Sequence, residues 1–150
     1  MTLIEFFKND RFAALAGCEL LETGEGYARA RMLVGEEHLN GGNVCQGGAL
    51  FTLADLAFAA AVNSHWVLTF STSSNITFIR SVPKGTFVYA EARELVNHKR
   101  LPFGEVRLTD DEGRLIAVFT SSGYRKQENS HAGSPAPLTA TGSAKLSRQG

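Results

Sequence analysis

Ile4, Phe7, Phe12 and Leu15 recur at near-helical spacing at the start of the chain. They follow Thr2-Leu3-Ile4-Glu5, where Thr2 is placed to cap a helix and Glu5 to reach back three residues. The pattern predicts one short amphipathic helix over about Leu3 to Leu15, ended by Gly17. Cys18 to Thr23 and Tyr27 to Val34 read as strands, and Gly24-Glu25-Gly26 between them has the turn chemistry of a hairpin. In the second strand Tyr27, Arg29 and Arg31 alternate with Ala28, Ala30 and Met32, as in a half-buried strand.

Glu36 to Gly48 is a loop rich in glycine and asparagine, and it runs straight into Ala49 to Val62. That segment is alanine-rich, lacks Gly and Pro, and is apolar on nearly all sides, so it predicts a helix buried nearly all round. Four strand candidates follow: Val67 to Ile79, Thr86 to Val96, Phe103 to Thr109 and Arg114 to Tyr124. Polar breaks separate them at Val82-Pro83-Lys84-Gly85, Asn97 to Arg100 and Asp110-Asp111-Glu112-Gly113. Helix, hairpin, central helix and strand meander together predict an α+β fold, an antiparallel sheet wrapped around one long helix. One sheet around one helix leaves surface to cover, so dimerisation is expected.

Composition narrows the partners. The chain has 150 residues, and Lys plus Arg equals Asp plus Glu at 15 each. A neutral chain has no global field to hold nucleic acid or an anionic membrane. Two cysteines, Cys18 and Cys45, make neither a disulfide framework nor a four-cysteine zinc site. Glu5, Lys8 and Asp10 interrupt the apolar N-terminus, which is therefore no signal peptide. The run from Ala49 to Val62 falls short of the roughly 20 residues that span a bilayer. A cytoplasmic protein is the default. From Gln127 onward Ala, Ser, Gly, Thr and Pro dominate without any aromatic residue. The expected organisation is one domain over 1–126 and a disordered tail over 127–150.

Asp55 is the first candidate for chemistry, because it interrupts the most apolar helix. A buried carboxylate must be paired, face a cleft or have a shifted pKa. It is either a functional carboxylate or a hydrogen-bonded core aspartate. Gly47 and Gly48 stand at the helix start, where N–H groups lack partners and the dipole favours negative charge. They either admit a substrate oxygen or merely turn the chain into the helix. Asn40 and His38 lie just upstream, each able to bind substrate or to satisfy loop backbone. No histidine pair among His38, His65, His98 and His131 has metal-ligand spacing, so no metal is expected. Cys45 reads as a small buried residue. Arg80, Lys84, Lys99 and Arg100 are either phosphate ligands or solvated loop charges.

His38-Leu39-Asn40-Gly41-Gly42-Asn43-Val44-Cys45-Gln46-Gly47-Gly48, followed by Phe51-Thr52-Leu53-Ala54-Asp55, resembles the signature of hot-dog-fold acyl-CoA thioesterases. Its branch looks like the phenylacetate-degradation, PaaI-like type. There Asn, a glycine-containing loop and His-Gly-Gly precede a helix with an acidic residue eight positions after the first of those glycines. The likeness continues through Asn75-Ile76-Thr77-Phe78-Ile79-Arg80 and Asp111 to Ala117, covering about residues 10 to 125.

The resemblance implies a hot-dog fold and a homodimer with active sites at the subunit interface, often a dimer of dimers. It implies acyl-CoA as substrate, with coenzyme A part of that substrate and no separate cofactor. Asp55 would be general base or nucleophile. The Gly47 N–H, beside Gly48, would polarise the thioester carbonyl, and Asn40 would position water or thioester. Ser71 would orient water, with Thr72 or Ser73 in its place if the register differs. Arg80, Lys84, Lys99 and Arg100 would meet the coenzyme A phosphates. Pocket depth would draw on side chains such as Phe58, Trp66 and Phe70.

One departure falls in the site: Gln46 replaces the usual histidine. Glutamine keeps a donor and an acceptor but takes up no proton near neutral pH. Three readings follow. The first is a thioesterase acting on a small, medium-chain or aryl acyl-CoA. The second is a non-catalytic acyl-CoA-binding module, which Gln46 motivates. The third is a hot-dog hydratase or dehydratase, in which His38 of a second subunit would supply the missing imidazole.

Overall fold

A computed structural model describes residues 1–126. The tail expected over 127–150 lies outside the described residues.

The predicted opening helix is two helices, α1 (Leu3–Phe7) and α2 (Arg11–Leu15). Thr2 and Glu5 form the expected capping box on α1. The break falls at Asp10, whose Oδ1 accepts the Ala13 N–H at 3.0 Å and caps α2. A carboxylate spent on starting a new helix cannot sit inside an old one. Gly17 ends α2 in the left-handed region, with φ 77°.

Strands β1 (Cys18–Gly24) and β2 (Tyr27–Leu33) form the hairpin. A loop with one 3-10 turn leads to helix α3 (Gly47–Val62). It starts two residues before the predicted apolar segment, because Gly47 and Gly48 already belong to it. Strands β3 (Thr69–Phe78), β4 (Phe87–Val96), β5 (Phe103–Asp110) and β6 (Leu115–Arg125) complete a six-stranded antiparallel sheet. Its order is β1-β2-β4-β5-β6-β3. β3 starts at Thr69 rather than Val67, because the chain turns through Trp66 at φ 61°.

The sheet curls around α3, giving the expected hot-dog architecture. Small residues let the helix approach closely: Ala28 pairs with Ala92 and Ala30 with Ala90, and all four are fully buried. Leu53, Ala57, Phe58 and Ala61 of the helix fill the space against Val88, Val106, Leu108 and Phe119. Phe58 packs on Phe119 in this core, so it does not line a pocket within the chain. A Cβ at Gly104 would lie 2.9 Å from the Arg93 carbonyl and 3.0 Å from the Phe58 ring, so only glycine fits under that ring. β3 is a sheet edge, and Ser71, Thr72, Ser73, Asn75 and Thr77 along it are exposed.

Candidate active site

Gly48, Thr52 and Asp55 follow one another at i, i+4 and i+7, so they share one stripe of α3. Thr52 and Asp55 are half-buried on this stripe, while Leu53, Ala54 and Leu56 beside them are buried. Asp55 Oδ1 accepts a hydrogen bond from Ser71 Oγ of β3 at 3.3 Å. Burial pushes the Asp55 carboxyl above the usual range; the Ser71 hydroxyl pulls it back, and the Asp10 carboxylate adds to the rise. Among the three hydroxyl candidates on β3, Ser71 is the one that meets Asp55. Thr72 turns instead to the Ser122 carbonyl at 3.2 Å.

The helix start is held from three sides. The Gln46 N–H donates to the His38 carbonyl at 2.7 Å, and the Cys45 N–H to the Val82 carbonyl at 2.8 Å. The Gln46 carbonyl accepts from Ala49 at 3.0 Å, opening the first turn. Gln46 occupies the N-cap but its side chain makes no capping hydrogen bond. The Gly47 and Gly48 N–H groups therefore have no partner among the described residues, as expected of a first turn. Both glycines lie under a neighbouring side chain. A Cβ on Gly47 would lie 2.6 Å from Phe78 Cζ, and one on Gly48 would overlap Gln46 Oε1, whose side chain folds over it.

Asn40 builds the loop as well as facing the site. Its Oδ1 accepts from the Gly42 N–H at 2.9 Å and the Val44 N–H at 3.3 Å. Its side-chain amine has no hydrogen-bond partner among the described residues. His38 is buried and fully used within the chain: Nδ1 accepts from Gly35 at 2.9 Å, and Nε2 donates to the Ala16 carbonyl at 2.6 Å. Burial pushes the Cys45 thiol up to about 11, so it stays protonated and a poor nucleophile at neutral pH.

Two cavities flank the helix start. One of about 330 Å³ joins Asn40, Gly47, Phe78 and Arg80. The other, about 590 Å³, joins Gln46, Gly48 and Thr52 to His38 and to Phe12 and Leu15 of α2. The four basic candidates do not converge in one chain. The Arg80 backbone N–H donates to the Ile116 carbonyl at 3.1 Å and Arg80 lines the smaller cavity, and Lys84 pairs with Glu36 at 3.3 Å on the same side. Lys99 and Arg100 lie at the other end of α3. The Arg125 N–H there donates to the Arg100 carbonyl, and its guanidinium reaches the Val62 carbonyl.

A network that the sequence reading missed fixes α3 against β3. Asn63, the C-cap, grips Thr69 through Nδ2 to the Thr69 carbonyl at 3.0 Å and the Thr69 N–H to Oδ1 at 2.9 Å. Beside it Arg125 Nη2 and His65 Nε2 each lie 2.8 Å from the buried Glu94 carboxylate. An asparagine after an apolar helix signals a C-cap, but its hold on a later strand has no local signature. Among the described residues no group of His, Cys, Asp and Glu could hold a metal ion, and no helix is long and apolar enough to cross a membrane.

Residues 38–117 match the thioesterase superfamily. The chain is 38% identical over 123 residues to an Archaeoglobus fulgidus protein classed, by inference, as an esterase, across 82% of this chain and 80% of that one. It is 30% identical over 119 residues to the acyl-coenzyme A thioesterase PaaI of Escherichia coli, across 79% of this chain and 85% of the relative. The structure of Escherichia coli PaaI, from the phenylacetic acid degradation operon, superposes with a TM-score of 0.78, covering 81% of this chain and 88% of that one.

Proposed function

The chain belongs to the PaaI-like branch of the thioesterase superfamily, and we propose that it hydrolyses acyl-CoA thioesters to free acid and coenzyme A, with Asp55 as the catalytic carboxylate. The observation that carries this reading is the Asp55–Ser71 contact at 3.3 Å on the stripe of α3 that starts at Gly48, with the unpartnered Gly47 N–H at the same helix start. The Gly47 N–H and the helix dipole stabilise the oxyanion that develops on the carbonyl. Asp55 activates water or attacks the carbonyl carbon itself, and Ser71 holds the carboxylate or the water in line. The thiolate of coenzyme A leaves, and water supplies the oxygen of the acid. Asn40, which lines the smaller cavity, positions the thioester. Gln46 orients the thioester as donor and acceptor without changing charge. Coenzyme A enters as part of the substrate, and the chemistry calls for no separate cofactor.

Gly47 and Asp55 stand eight residues apart, about 12 Å along a helix. Attack needs the reacting atoms roughly 3–3.5 Å apart. One chain therefore does not bring its own Gly47 and Asp55 to one carbonyl. A homodimer joined along the exposed β3 edge, with its two-fold reversing the strands, sets Asp55 of one subunit against Gly47 of the other. The same reversal brings Lys99 and Arg100 of one subunit toward Arg80 and Lys84 of the other, collecting the basic residues for the coenzyme A phosphates. Pairing of such dimers into a tetramer belongs to the same proposal. The cytoplasm is the compartment that suits two free buried cysteines.

Mixing subunits tests the arrangement. Gly47→Pro with Phe78→Ala removes the N–H while keeping a residue suited to a helix start; alone it should lose on the order of 10²–10³ in rate. Mixing it with inactive Asp55→Asn should restore part of the thiol release. Additive inactivity in the mixture contradicts a shared site.

Gln46 favours a second reading, a binding module that has kept the pocket without turnover. Tight acyl-CoA binding with no thiol release, and release gained by Gln46→His, would select it. A hydratase needs a free imidazole, and both His38 nitrogens are engaged within the chain.

A further inference from the structure

The two cavities at the helix start differ in chemistry. The smaller carries Arg80, and its polar wall includes Asn40 and Ser81. The larger has no cation in its lining. Phe12, Leu15, Ala16, Leu39 and Ala49 give it apolar walls, and Glu37 is its one charged member. Phe12 is 66% exposed and Leu15 81% exposed. They sit three apart on α2, so they present neighbouring side chains on one face. Large apolar residues this open on a short helix leave water-exposed surface that a ligand can bury. The groove is continuous with the reactive turn, because Gln46 and Gly48 form its inner end and Gly47, between them, borders the other cavity.

A thioester has two unlike arms on either side of one carbonyl. One ends in phosphates, the other is the acyl group. With the carbonyl at the Gly47 N–H, the two arms must leave by the two cavities. Arg80 favours the phosphate-bearing arm, while Glu37 repels it and apolar walls give it nothing to bond. We propose that the groove between α2 and the first half of α3 is the acyl-binding site, that Phe12 and Leu15 are its specificity-determining residues, and that the substrate class is an apolar acyl group of medium length. The assignment of arms rests on the thioester reading of Gly47 above. A two-carbon acyl group ends at Gln46 and Gly48 and gains nothing from α2. A longer one lies along Ala49 and Thr52 and buries Phe12 and Leu15.

Burial of each further methylene strengthens binding, so the rate constant kcat/KM should rise about tenfold or more from acetyl-CoA to decanoyl-CoA. Phe12→Ser with Leu15→Ser should flatten that rise and leave the acetyl-CoA value unchanged. Both residues are exposed, so the double variant should fold, and its unchanged acetyl-CoA turnover is the internal check. Retained preference for decanoyl-CoA in the variant, or equal loss on all substrates, overturns the proposal. A second arm stands apart from catalysis. S-decyl-CoA, a thioether that cannot be hydrolysed, should bind the wild-type protein more tightly than coenzyme A, and the double variant should bind the two alike. No thiol release with any thioester would refute the thioesterase reading, and the thioether preference would still decide the groove. Equal wild-type affinity for S-decyl-CoA and coenzyme A overturns it.

Discussion

Ser71 Oγ donates to Asp55 Oδ1 at 3.3 Å, joining the exposed edge strand β3 to the Gly48–Thr52–Asp55 stripe of α3. The contact acts against burial, which holds the Asp55 carboxyl above its usual range. Removing the hydroxyl removes a downward influence. Ser71→Ala should therefore move the acidic limb of the kcat/KM–pH profile to higher pH and leave the plateau less affected. An unmoved limb would mean that Ser71 does not act through Asp55.

The same shift makes Asp55 a cost to folding. Its folded pKa lies above an unfolded value of about 3.9. The folded chain thus holds the proton more tightly. Stability is greatest at low pH, where both states are protonated, and falls as pH rises from the unfolded pKa through the folded one. At pH 7 the full cost is present. Asp55→Asn should raise the melting temperature at pH 7, and the advantage should vanish near pH 3. A variant less stable than wild type at pH 7 would show that the carboxylate is held by favourable contacts instead.

Asn63 reaches Thr69 through two hydrogen bonds of 3.0 and 2.9 Å, two residues before Ser71. This grip sets where β3 starts against α3. Asn63→Ala leaves buried backbone groups of Thr69 without partners, which costs about 1–3 kcal/mol per group. Chemical denaturation should show that loss. The pH limb assigned to Asp55 should also move as Ser71 drifts from it, and kcat should fall more than KM rises. Lost stability with an unchanged pH profile would leave Asn63 a fold residue only.

Arg125 and Glu94 are both buried, 2.8 Å apart, with His65 also on Glu94. Arg125→Met leaves the buried Glu94 carboxylate with His65 as its one remaining side-chain partner among the described residues, and breaking such a pair costs about 3–5 kcal/mol. Adding Glu94→Leu removes that charge and should recover part of the loss. A double variant no more stable than the single one would contradict this account of the pair.

Local signals were legible in the sequence and contacts between distant segments were not. Thr2 and Glu5 cap α1 as read, because both partners lie within one turn. The opening was read as one helix, although the five-residue step from Phe7 to Phe12 breaks helical spacing and Asp10 stands ready to cap. The alternation of Tyr27, Arg29 and Arg31 with Ala28, Ala30 and Met32 is the observed burial pattern of β2. Gly47 and Gly48 hid the true start of α3, since glycine weakens the helical signal that the alanine run carries. Asp55 stood out as a carboxylate in an apolar helix. Its partner Ser71, sixteen residues away, came from the resemblance and not from spacing. The Phe78 ring over Gly47, the Asn63 clamp and the groove behind Phe12 and Leu15 depend on the closed sheet and leave no periodic trace.

Thiol release from acetyl-, hexanoyl-, decanoyl-, phenylacetyl- and benzoyl-CoA, measured side by side for the wild-type protein and Asp55→Asn, tests the central claim most directly. Positioned acid–base catalysis is worth on the order of 10²–10⁴ in rate. The wild-type protein should turn over at least one of these substrates, and Asp55→Asn should lose about that factor while still binding it. Wild-type turnover that survives in Asp55→Asn would contradict the role of Asp55 in thioester hydrolysis.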